Sequence, residues 1–185
     1  MIRRTSALLM ATAFLSAAAT LPRQAPDLTI HLNGGKSIQL SSYKGKVVVV
    51  AFILTTCSHC QYTTGLLSKA QTDYGPRGLQ VIESAIDQGA EAFVPRFIQQ
   101  FAPPFPVGFN DFNTAQEFMQ HSPMMLLHMP GVLFIDRTGK IVAQYEGDDP
   151  DMVQGVQEGK LRAHIEKLLQ PAAAAPARKS ATKKK

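Results

Sequence analysis

The chain has 185 residues, 45% of them hydrophobic and 18% charged, which is enough apolar material for a buried core and too little charge for general disorder. The formal net charge of +5 sits at the two ends, on Arg3 and Arg4 and on Arg178, Lys179, Lys183, Lys184 and Lys185. Without those seven residues the body is slightly acidic, so composition excludes a nucleic-acid surface.

Arg3 and Arg4 are followed by an uncharged run from Thr5 to Leu21 that ends in small residues, Ser16 to Ala19. This is the pattern of a secretory signal peptide over residues 1–21, cleaved after the alanines. An uncleaved membrane anchor is the rival reading. The run is short for a span of about 20 residues, and alanine inserts poorly. The expected location is therefore the periplasm or another extracytoplasmic space.

Ala25–Pro26–Asp27 opens the body, which is expected to fold as one domain over residues 25–170. Leu28 to Leu32 reads as a short strand, Gly34–Gly35 as a turn, and Ser37 to Leu40 as a strand pairing back. Val47 to Leu54 is an unbroken apolar run with four consecutive valines, the signature of a strand buried on both faces. A helix follows from the cysteines to about Tyr74 and stops at Gly75–Pro76 and Gly78. Leu79 to Ile86 is a second buried strand. Ala90 to Phe101 has helical apolar spacing, with Pro95 limiting where its first turn can start. After a break at Pro103, Pro104 and Pro106, Thr114 to Gln120 reads as a short helix. Gly131–Ile135 and Lys140–Tyr145 form a hairpin across Asp136–Arg137–Thr138–Gly139. The last helix is expected to start with Asp149 as cap and Pro150 in its first position. Val153, Val156, Leu161, Ile165 and Leu168 would supply its buried stripe, and Pro171 its end. Residues 171–185, alanine and proline then lysine, read as a disordered basic tail.

The two cysteines lie three positions apart in Cys57–Ser58–His59–Cys60. Such a short loop gives a structural disulfide little leverage on the unfolded chain, so the pair points to reactivity. A strand end that opens a helix supplies free amide hydrogens and partial positive charge, which favour a thiolate at Cys57 as nucleophile. Cys60, one helical turn on, can then resolve the mixed disulfide. A protonated His59 would add positive charge and tune the pair towards oxidant. A structural zinc site needs four Cys or His ligands, and there is no second Cys-x-x-Cys.

From Ala25 to Tyr145 the chain resembles the exported thioredoxin-like proteins of the TlpA/ResA type and the related redoxin and AhpC/TSA group. The pieces that carry the likeness are Ala25–Pro26–Asp27, Gly35–Lys36, Leu40–Ser41, Tyr43–Lys44–Gly45–Lys46, and Phe52 five residues before Cys57. Met129–Pro130, Gly131–Val132–Leu133–Phe134–Ile135–Asp136 and Gly139–Lys140 complete it. The resemblance implies an α/β thioredoxin-like fold, a central mixed sheet with helices on both faces. It implies a cis Pro130 facing the dithiol, and the Met129 backbone offered to an extended substrate. It implies thiol–disulfide exchange with cysteines of exported proteins and a membrane redox partner; the dithiol is its own redox centre, so no organic cofactor is expected, and the expected state is a monomer. The chain departs from the pattern at Ile53 and Thr56, where tryptophans are usual, at His59, where proline is usual, and at Ala51, where thioredoxins carry a buried acid. Glu83 on the next strand is a candidate proton acceptor, but the sequence favours reading it as an exposed edge carboxylate. Val50 and Leu54 occupy the positions of a peroxiredoxin's proline and threonine, so peroxidase activity is not implied.

Met119, His121, Met124, Met125, His128 and Met129 supply soft donors before Pro130. His128, eight residues before Asp136, resembles in placement the copper-binding histidine of Sco-type chaperones. The alternative reading is therefore copper held by Cys57, Cys60 and His128, against methionines that fill core gaps.

Overall fold

The computed structural model describes residues 20–170. The signal-peptide reading, apart from its last two residues, and the basic-tail reading lie outside that range. The strands are β1 (Arg23–Gln24), β2 (Thr29–Leu32), β3 (Lys36–Gln39), β4 (Val47–Ile53), β5 (Leu79–Ala85), β6 (Val107–Phe109), β7 (Gly131–Ile135) and β8 (Lys140–Tyr145). The helices are α1 (Ser58–Tyr74), α2 (Ala90–Phe101), α3 (Phe112–Met119) and α4 (Gln157–Leu169). Among the described residues no helix is long and apolar enough to cross a membrane.

One mixed sheet runs in the order β1-β8-β7-β4-β5-β6-β2-β3. The valine strand β4 lies inside it, parallel to β5 and antiparallel to β7, and all seven of its residues are buried. Successive side chains of a strand point to opposite faces, so β4 serves two cores. Val47, Val49, Ala51 and Ile53 pack with residues of α1, α2 and α4, whereas Val48, Val50 and Phe52 pack with Ala115, Phe118 and Met119 of α3.

Helix α2 runs straight through Pro95, five residues after its start. A proline cannot donate to the carbonyl four residues back, here that of Glu91. The Asn33 side chain, from the turn between β2 and β3, donates to that carbonyl at 2.9 Å instead. The end of the chain differs from expectation. Asp149 caps a single 3-10 turn, Pro150–Met152, and α4 begins only at Gln157. Gly155 adopts φ +90°, a left-handed conformation that interrupts a helix there. Val153 and Val156, on either side of Gly155, both fall before α4 and are exposed, while Leu161 and Ile165 are buried as the stripe requires.

Two strands have no counterpart in the sequence pattern. In β1, Arg23 and Gln24 pair with β8, and the Arg23 guanidinium donates to the Phe118 carbonyl at 2.6 Å. Strand β6 follows the proline cluster and pairs with β5 on one side and β2 on the other.

Candidate active site

Cys57 is the N-cap of α1. Its backbone is extended, and its Sγ accepts the N–H of Cys60 at 3.3 Å. Cap geometry thus sets the sulfur over the free amides of the first turn, the role usually filled by serine or aspartate. The thiols are free, Cys57 half-buried and Cys60 fully buried. The Cys60 Sγ accepts the N–H of Leu54 at 3.5 Å. Burial first, then the hydrogen bond with Cys57, pushes the Cys60 thiol far above its ordinary range, and the charge of Glu83 adds to the rise.

The loop that delivers the dithiol is anchored by Asp87, whose carboxylate accepts the Thr55 N–H at 2.9 Å and the Thr55 hydroxyl at 3.1 Å. Gln61 closes the same loop by donating to the Thr55 carbonyl at 2.9 Å. Neither residue is legible as part of the site in sequence. Asp87 follows the end of β5, and only the parallel pairing of β5 with β4 brings it beside Thr55.

His59 turns its Nε2 to the Met152 carbonyl at 2.8 Å, so the 3-10 turn before α4 holds the ring. Met129–Pro130 is a cis peptide bond, and Met129 packs against both cores. Gly131 pairs with Phe52. That pair is the last of the β4–β7 ladder, so the cis segment lies at the same end of the sheet as the strand end that leads into the dithiol.

Glu83 is not an edge carboxylate. It is fully buried, because β6 covers the side of β5 that would otherwise be free. It shares a face with Leu79, Val81 and Ala85, which belong to the same core as Cys60, and it pairs with Ala51. The acid absent from position 51 is thus carried one strand over, beside a methyl group. Neither carboxyl oxygen meets a hydrogen-bond partner, and burial pushes its pKa up to about 8, a rise the dipole of the nearby Thr64 hydroxyl slightly offsets. That hydroxyl donates to the Cys60 carbonyl at 3.0 Å, so Thr64 bridges the neighbourhoods of the two groups.

Apart from Met129, which packs against the core that holds Cys60, the methionines and histidines before Pro130 do not gather at the cysteines. Met119 is core, Met124 and Met125 are exposed, His121 faces Glu146 and His128 faces Asp148. Among the described residues the one group able to hold a metal ion is His128, Glu146 and Asp148, which contains no cysteine. The copper alternative on Cys57, Cys60 and His128 is therefore not favoured.

The Redoxin family profile matches residues 22–160. The thiol-disulfide oxidoreductase ResA of Bacillus thuringiensis subsp. konkukian (strain 97-27) is 25% identical over 126 residues, 68% of this chain and 69% of that protein. ResA of Oceanobacillus iheyensis is 26% identical over 111 residues, 60% of this chain and 55% of that one. Among solved structures, one from Chlorobium tepidum described as a thiol:disulfide interchange protein DsbE has a TM-score of 0.66 at 25% identity, covering 80% of this chain and 96% of that one. The thioredoxin domain of a thiol-disulfide oxidoreductase from Bacteroides vulgatus has a TM-score of 0.65 at 22% identity, over 82% of this chain and 99% of that domain, and bears on the fold alone. With three quarters of its length matched, the chain belongs to the Redoxin family, as a thiol–disulfide oxidoreductase of the TlpA/ResA type on a thioredoxin-like α/β fold.

Proposed function

We propose that this chain exchanges disulfides with cysteines of other exported proteins, with Cys57 as nucleophile and Cys60 as resolver. The observation that carries the reading is the half-buried Cys57 sulfur at the N-cap of α1, with the buried Cys60 one turn behind it. In the reducing direction the Cys57 thiolate attacks one sulfur of a substrate disulfide. That S–S bond breaks, a mixed disulfide forms, and the departing substrate thiolate takes a proton. Cys60 then gives its proton to Glu83, which is ionised in a growing fraction of molecules as the pH approaches about 8, and attacks the Cys57 sulfur. The second substrate thiolate leaves, and two electrons have passed from the dithiol to the substrate. The oxidising direction is the same sequence reversed. The redox centre is part of the protein, and a membrane redox partner would recharge it.

Glu83 suits the acceptor role because a buried thiol held far above neutrality needs a nearby base in the same dry space. The cis Met129–Pro130 segment would present the substrate chain alongside Cys57. His59, tied to the Met152 carbonyl, would tune the potential by charge.

The test is glutathione equilibration of the full chain combined with trapping. The expected result is a measurable dithiol potential, exchange abolished in Cys57→Ser, and a mixed disulfide that accumulates in Cys60→Ser. A potential near about −270 mV makes the protein a reductant and one near about −120 mV an oxidant. Exchange that survives in Cys57→Ser would remove the assignment.

A further inference from the structure

We propose that His128, Glu146 and Asp148 form a site for a divalent cation of borderline character, with zinc as its type, beside the Met129–Pro130 segment. The inference does not depend on the dithiol chemistry. One imidazole nitrogen and two carboxylate oxygens lie within 4.8 Å of one another. His128 Nδ1 is 3.1 Å from Asp148 Oδ2, close to the ligand–ligand separation of a shell with bonds of about 2.0–2.2 Å.

The backbone holds this grouping in place. The Gly147 N–H donates to the His128 carbonyl at 2.9 Å, and a Cβ at position 147 would collide with the Met129 carbonyl. Only glycine lets Glu146–Gly147–Asp148 lie against His128–Met129–Pro130, which brings both carboxylates to the His128 ring.

A second residue supports the carboxylate. His121 Nε2 lies 3.4 Å from Glu146 Oε1, its side chain is only 8% exposed, and its Nδ1 has no partner. Outer polar neighbours that hold a ligating carboxylate in place are the usual arrangement around a bound metal. Two carboxylates face the His128 ring, and a dication answers their charge where a surface ion pair contributes little. Imidazole with carboxylates, and no thiolate, selects zinc-like ions over copper(I). Asp148 and His128 are open to solvent, so an ion can enter.

A bound ion would tie the segment before Pro130 to the segment after β8. The test is calorimetric titration of zinc chloride into the full chain with both cysteines changed to serine, so that no thiolate contributes. One ion per chain is expected, with affinity reduced at least tenfold in His128→Ala and in Asp148→Asn. The exposed Asp148 side chain makes the second variant safe for folding. Zinc should also raise the unfolding temperature of the parent and leave that of Asp148→Asn unmoved. Zinc uptake that requires intact cysteines, or equal uptake by parent and variants, overturns the site. Insulin reduction by the unaltered chain reads the dithiol separately, so the two readings fail independently.

Discussion

Glu83 and Cys60 are two buried acids facing one core; burial raises both, and the charge of Glu83 makes ionisation of Cys60 harder still. The stability consequence has a definite sign. Glu83 titrates near 8 in the folded chain against 4.5 unfolded, so between those values the native state holds a proton that the unfolded state has lost. Stability falls as pH rises through that window and is flat above it. Glu83→Gln removes the penalty. It should gain stability over the parent progressively from about pH 4.5 to 8 in denaturant titrations, by up to about 5 kcal/mol at 1.36 kcal/mol per unit. The same variant should resolve the Cys57 mixed disulfide about 100-fold more slowly if the carboxylate is the proton acceptor. Unchanged resolution would reduce Glu83 to a structural burden. The dithiol itself was legible in sequence because its chemistry needs only local spacing. The state of Glu83 was not, because its burial depends on β6, three residues in a proline-rich stretch that carry no strand pattern.

Among the elements, legibility followed the strength of the local pattern. The double-faced burial of β4 and the full extent of α2 could be read directly, since apolar runs and helical spacing reflect their surroundings. The last helix could not, because the proline and cap at Asp149–Pro150 fit a 3-10 turn as well as a helix. Pro95 shows how a broken local rule is compensated by a distant residue. Asn33→Ala removes the donor to the Glu91 carbonyl and should cost about 0.5–1 kcal/mol in urea unfolding. In a Pro95→Ala background the helix supplies its own N–H, so the cost of Asn33→Ala should vanish. An equal cost in both backgrounds would separate Asn33 from Pro95.

At the scale of the whole molecule, the eight-stranded sheet ends on β1, two residues long, and on β3, whose Lys36, Ser37 and Gln39 are exposed. Short or polar edges pair poorly with other chains. The full chain should therefore sediment at the mass of one copy. A stable dimer would mean that another surface, such as the exposed Met124–Met125–Leu126 loop, is engaged.

Those blunt edges also bear on the company an oxidoreductase keeps. A protein that handles incompletely folded, cysteine-bearing chains meets extended backbone looking for a sheet to join. Margins this short leave such a client little to template on. On the proposed mode of action, contact would be confined to the cis-proline segment and would end in release on exchange, so the protein would avoid seeding aggregates of its own substrates.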